Sequence, residues 1–245
     1  ALLREGGRMI GSEALAKGFN VMLAGGVNLV RDPRSGRNFE YLGEDPLLAG
    51  TLVGEQIAGV QSNRIIATIK HFALNDQETG RSSASVEMPE AAMRESDLLA
   101  FQIGIERGQP GSVMCAYNRI GGVFACENRF LLTDVLRRDW GFKGFVMSDW
   151  GAVHSSEAIL AGLDQQSGEQ IDKKRWFSTE MVKALAEKRI PQSAVDTAAL
   201  RILRTIRAQG LALDPASQVR PIDYEANAAI AQRTAEEGVV LLRNE

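Results

Sequence analysis

The sequence is poor in the side chains that bind soft metals. Its 245 residues hold two cysteines and two histidines. Cys115 and Cys126 have only His71 and His154 to join them, and their spacing fits no zinc pattern. Two buried free thiols are the simplest reading of the pair, with a disulfide closing the loop between them as the alternative if the protein is exported. No apolar run reaches eighteen residues, so the sequence predicts no membrane-spanning helix. At a net charge of −3 no lysine- or arginine-rich stripe stands out, which argues against a nucleic-acid partner. The phosphate-cradling patterns GxGxxG and GxxxxGK[ST] are missing, and no metal or cofactor is called for. The sequence does not open on a basic start followed by an apolar stretch, so no signal peptide is visible in it. Both ends read as cut, so this says little about the compartment, and a periplasmic or extracellular setting is the working guess.

What is present is an ordinary core composition, 44% hydrophobic and 24% charged, arranged in a repeating rhythm. Short apolar runs alternate with helical patterns. Strands are expected at 26–30, 64–69, 111–117 and 144–148, with a further short one at 161–164. Helices are expected at 46–61, 89–107, 128–139, 153–161, 178–188 and 191–209. Pro46, Pro89 and Pro191 suit helix starts, and Gly210 suits a helix stop. Apolar strands alternating with helices predict an α/β fold with a parallel sheet covered by helices. An open doubly wound sheet and a closed (β/α)8 barrel both fit. A barrel takes about 250 residues. Only four or five units are visible, so a TIM-barrel-like domain would be N-terminally truncated here.

Polar residues with chemical potential follow the strands rather than precede them. Lys70 and His71 end one run, Tyr117 and Asn118 another, Asp149 and Trp150 a third. In a barrel these carboxyl ends form the active face. Each residue has a plainer alternative. Asp149 would cap a helix starting near Val153, Lys70 would be a solvated strand-end charge, His71 a core histidine, and Tyr117, Trp150 and Met114 packing residues. Their recurrence at one end of successive strands favours a site. A carboxylate that can attack an anomeric carbon, an indole face and several cationic donors together suit a carbohydrate. Rival readings are a Schiff-base lyase working through Lys70 and a non-enzymatic sugar-binding module.

Four segments in order, NLVRDPRSGRNFEYLGEDP (28–46), KHFALNDQETGR (70–81), SVMCAYNRIGG (112–122) and GFKGFVMSDWGAVHS (141–155), resemble glycoside hydrolase family 3, most closely its bacterial β-glucosidases. The resemblance implies a (β/α)8-type barrel followed by an α/β sandwich domain. Residues 1–212 would be the partial barrel, 213–235 a linker and connecting helix, and 236–245 the first strand of the second domain. It implies a retaining hydrolase that releases β-D-glucose from non-reducing ends through a covalent intermediate on Asp149, or a β-xylosidase or other exo-β-glycosidase of the same family. Arg37, Lys70, His71, Arg81, Met114, Tyr117 and Trp150 would bind the substrate, a β-glucoside or oligosaccharide. The family often has Trp where this chain has Ser35. Its upstream glycone-gripping aspartate has no counterpart here, and its acid/base glutamate lies in the second domain. That domain is therefore an expected partner, and residues 1–245 alone are expected to be nearly inactive. The hexosaminidase branch reads KHFPGHG where this chain has KHFALNDQETGR, which favours a glucosidase.

Overall fold

The structure is a computed structural model and describes residues 1–168, 170–211 and 220–244. Helix α1 (Leu2–Ala16) leads to the short strand β1 (Val21–Met22), then α2 (Pro46–Gln61) and β2 (Ile66–Phe72). After β3 (Ser85–Val86) come α3 (Glu90–Glu95), α4 (Asp97–Gly108) and β4 (Ser112–Cys115). A small hairpin, β5 (Arg119–Ile120) and β6 (Val123–Phe124), precedes a π-helix at Phe130–Asp139 and β7 (Phe145–Ser148). The rest is helical: α5 (Ala158–Ala161), α6 (Thr179–Ala186), α7 (Gln192–Ala208) and α8 (Tyr224–Gly238).

Strands β1, β2, β4 and β7 form one parallel sheet in that order. This is the α/β, TIM-barrel-like architecture expected from the alternation of apolar runs and helices. Strands β2, β4 and β7 are buried on both faces, which is why they read as largely apolar runs instead of alternating ones. One face packs on α2 and α4 around Phe72, whose ring centroid lies 5.1 Å from Phe101 and 5.8 Å from Trp140. The other face carries Ile66, Met114, Phe145 and Met147, with Ile202 and Ile206 of α7 against them. Helices α2 and α4 approach so closely that a Cβ at Gly50 would fall 2.7 Å from the Ala100 carbonyl oxygen. Only glycine permits that contact.

Asp45 caps α2 by accepting from the Leu48 amide, and Pro46 opens it, as expected. Elsewhere the structure departs from expectation. The run at 26–30 is not a strand. Gly25 turns to φ +127°, only a single bridge joins Gly26 to Lys70, and the Asn28 side chain instead pairs with both backbone groups of His71. The helix expected over 89–107 breaks at Ser96, whose hydroxyl donates to the Ala92 carbonyl. The one expected over 153–161 shrinks to four residues, because the serines ahead of it bond elsewhere: Ser155 to Glu127 and Ser156 to the Trp176 carbonyl. Residues 161–164 make no strand, and only Gln165 bridges to Met147.

The cysteines correct another expectation. The β5–β6 hairpin folds the chain back until the Cα atoms of Cys115 and Cys126 lie 5.1 Å apart, and the two are disulfide-bonded. At the far end α8 docks on α1 through Asn227 to Glu13 (2.8 Å) and Arg233 to Glu5 (3.2 Å). Of the linker and connecting helix expected over 213–235, residues 213–219 lie outside the described residues, and α8 begins at Tyr224. Of the strand expected at 236–245, residues 236–238 close α8 and Val239–Asn244 pair with no described strand.

Candidate active site

Four loops meet beyond the carboxyl ends of the sheet, and each follows one of its strands. The loop after β1 brings Arg37, Glu40 and Tyr41. The end of β2 and the loop after it bring Lys70, His71, Asn75, Glu78 and Arg81. Tyr117 follows β4, and Asp149 with Trp150 follows β7.

Asp149 is buried at the first position past its strand. Its Oδ1 accepts from the Tyr117 hydroxyl and from the Trp150 amide, both at 2.8 Å. Its Oδ2 faces His71 Nε2 at 3.6 Å, beyond hydrogen-bond range. One oxygen is thus fixed and the other makes no hydrogen bond among the described residues. Asp149 caps no helix, since regular helix resumes only at Ala158. Burial pushes its pKa up. The Tyr117 and Trp150 hydrogen bonds and the charges of Arg37 and Arg81 pull it back without cancelling the rise. The tyrosine itself is raised by burial and by the carboxylate it serves, so it stays a donor.

His71 supplies no charge. Burial and the adjacent Arg37, Lys70 and Arg81 push its pKa down to about 2. Arg37 Nη2 lies 3.1 Å from His71 Nε2, and a guanidinium can only donate. Nε2 of the neutral ring therefore accepts, and Nδ1 carries the hydrogen toward the Tyr41 hydroxyl 3.2 Å away. Lys70 is paired with Glu40 at 3.0 Å, and the positive field at Asp149 comes from Arg37 and Arg81.

Two glutamates that the sequence reading missed organise these cations. Glu40 takes Arg37 at 2.6 Å and Lys70 at 3.0 Å. Burial pushes Glu40 up, but the Lys70 and Arg37 hydrogen bonds outweigh it and the net shift is down. Glu78 takes Arg81 at 2.5 Å and Asn75 at 3.0 Å, with Arg37 at 3.6 Å. Arg81 also lies over the Tyr117 ring, 4.2 Å from its centroid. The cluster therefore consists of anions that aim cations, and Asp149 alone among its carboxylates has no paired cation. Glu40 lies three residues past Arg37 in a 3-10 turn, and Glu78 three before Arg81. That spacing was a visible signal in the sequence.

Trp150 is half-buried and rests on Gly168, where any side chain would strike the indole ring. It packs on the cluster that contains Met114. Met114 itself is wholly buried, so it touches the site through Trp150 and not as an open wall. Lys70, His71, Arg37, Arg81, Tyr117 and Asp149 are brought together as the sequence suggested. A groove of about 740 Å³ lies at the opposite end of the sheet, between Gln109, Trp140, Phe142 and Arg204, away from these residues.

A parallel α/β sheet with polar and charged side chains gathered at its carboxyl rim is the arrangement of barrel-type domains. Residues 1–205 match the family model described as "Glycosyl hydrolase family 3 N terminal domain", and the chain belongs to that family. It is 38% identical over 248 residues to "Thermostable beta-glucosidase B" of Acetivibrio thermocellus, covering 100% of this chain and 32% of that protein. It is 36% identical over 246 residues to "Probable beta-glucosidase I" of Aspergillus terreus, covering 100% of this chain and 29% of that one. Among solved structures it is similar to β-glucosidase 3B from Thermotoga neapolitana in complex with glucose. The TM-score is 0.94 at 38% identity, over 100% of this chain and 35% of the other. The chain thus spans about a third of the length of these relatives.

Proposed function

We propose that this domain supplies the nucleophile and most of the glycone pocket of a retaining exo-β-glucosidase. The observation that carries the reading is the asymmetry of Asp149: one oxygen held by Tyr117 and the Trp150 amide, the other unbonded. A carboxylate so held is oriented without being neutralised, as attack on an anomeric carbon requires. The free oxygen displaces the leaving group to form a glycosyl ester, and water later hydrolyses the ester with retention. Arg37, Arg81, Lys70 and His71 surround the attack position with donors for sugar hydroxyls, and Trp150 offers a flat face to the ring. The Asp149 proton must be absent, and the positive field of Arg37 and Arg81 works in that direction.

The protonating acid is not evident in this cluster. Glu40 and Glu78 are engaged with cations, and the lowered pKa of Glu40 makes it a poor proton donor. We assign the acid to polypeptide outside residues 1–245 and expect these residues alone to be nearly inactive. The similarity to named β-glucosidases supports glucose as the glycone. The direct test is a fluorosugar inactivator on the complete polypeptide. A labelled peptide containing Asp149 is the expected result, and a label on any other residue overturns the assignment. Aryl β-xyloside and aryl β-glucoside, compared by kcat/KM on the same sample, decide the glycone.

A further inference from the structure

A second buried carboxyl pair lies behind the sugar-facing cations. Asp97, the first residue of α4, is almost wholly buried, and Asp76 lies in the loop after β2. Both are held by Arg31, from the loop that also carries Arg37. Arg31 Nη2 reaches Asp97 Oδ2 at 2.5 Å, and Nε reaches Asp76 Oδ2 at 3.3 Å. Ser96 Oγ lies 2.8 Å from the same Asp97 oxygen. Asp76 Oδ1 is buried with no described partner. Nothing in the proposed chemistry uses these residues, yet they join three elements at one point.

The two elements joined to α4 are the ones that aim the site's cations. Arg31 precedes Arg37 by six residues, and Asp76 precedes Glu78 by two and Arg81 by five. The same loops touch again through the Glu78 amide to the Ser35 carbonyl at 3.1 Å. We propose that Arg31, Asp76 and Asp97 form a positioning brace that holds the Arg37 loop and the Glu78–Arg81 loop in register for glycone binding. This rests on the sugar-pocket reading above.

The charge balance gives the brace a pH dependence. One guanidinium faces two carboxyls, so the cluster is neutral only while one carboxyl keeps its proton. Arg31 bridges the two carboxyls, and the opposite shifts, Asp76 up and Asp97 down, favour the proton on Asp76. Burial, then the bond to and repulsion from Asp97, push it to about 8, against the opposing pull of Arg31. Asp97 is moved the other way: burial raises it, but Arg31, Asp76 and Ser96 outweigh that. Tyr41 also feels the Asp76 charge but is itself raised by burial and stays neutral. Glu78 and Arg81, on the same loop, are paired to each other. Above pH 8 the second negative charge appears in the brace, and the loops lose their common anchor.

The experiment uses the complete polypeptide and Asp76→Asn, which keeps a donor toward Asp97 and cannot ionise. For an aryl β-glucoside, wild-type KM rises several-fold from pH 7 to 9 while kcat changes less than twofold, and Asp76→Asn holds KM flat. Asp97→Asn, which weakens the grip on Arg31, raises KM across the range. Superimposable KM profiles for wild type and Asp76→Asn overturn the proposal. A second reading needs no substrate. Because the folded-state pKa is raised, the stability due to the Asp76 proton is full below about pH 4, declines as pH rises to 8, and is level beyond. The Tm of Asp76→Asn therefore gains on wild type between pH 5 and 8. If no aryl β-glycoside is turned over, the glucosidase reading fails and the thermal comparison decides the brace alone, parallel Tm curves overturning it.

Discussion

Strand β7 is flanked by two buried aspartates, and they have opposite fates. Asp149 follows its carboxyl end. Asp164 lies beside its middle, where its amide donates to the Val146 carbonyl and its Oδ2 accepts from the Val146 amide. Burial raises both carboxyls, and both have two arginines near them. The difference is in how the oxygens are used. Asp164 Oδ2 also takes Arg137 at 2.5 Å, and Oδ1 takes Arg201 at 2.9 Å, so every acceptor is occupied and the side chain has no exposed surface. Asp149 has neutral donors on one oxygen and nothing in bonding range on the other. A raised pKa therefore does not by itself mark a reactive group. An incompletely bonded carboxylate with cations held at a distance does.

This contrast can be broken from either side. The largest effect is expected from Asp149→Asn, which leaves shape and hydrogen bonding nearly intact and removes the nucleophile. Turnover by the complete polypeptide should fall on the order of 10³-fold or more with Tm near wild type. Retained turnover would remove the distinction. Asp164→Ala should do the reverse. Arg137, already lowered to about 10 by burial, would lose its carboxylate, at a cost of roughly 3–5 kcal/mol in urea unfolding. The folded fraction should keep its kcat/KM.

Arg37→Ala tests whether the held-off cations serve the substrate. Removing a charged donor costs about 1.5–3 kcal/mol, which should appear in KM for a glucoside and as weaker glucose binding by calorimetry. The finest test is Tyr117→Phe. Losing one donor to the ionised form moves the Asp149 pKa further up. Activity is lost as pH falls through that pKa, so the acid limb of kcat/KM should shift to higher pH by about 1 unit or less, corresponding to about 1 kcal/mol. An unmoved limb would mean that Tyr117 does not tune the nucleophile.

Much of this contrast was legible in the sequence, and unevenly. Asp149, Lys70, His71 and Tyr117 stood out because they follow apolar runs, and strand direction is enough to aim them at one rim. Helices with a proline start, such as α2 and α7, were read nearly to the residue because the start signal is local. Glu40 and Glu78 were missed although each lies three residues from an arginine, because that spacing marks a site only once folding adds Lys70 to Glu40 and Arg37 to Glu78. The run at 26–30 failed as a strand for a similar reason. Asn28 replaces ladder hydrogen bonds with side-chain ones to a residue 43 positions away. The disulfide was undervalued because it depends on a hairpin of two-residue strands too short to leave a pattern.

That disulfide closes a covalent ring from Cys115 to Cys126, with Tyr117 and Arg119 inside it. A trypsin cut after Arg119 would therefore leave the polypeptide in one piece on a non-reducing gel and yield two bands only with thiol present. Tyr117 would then hang from the sheet through Cys115 alone, on a loose end that closes at Arg119.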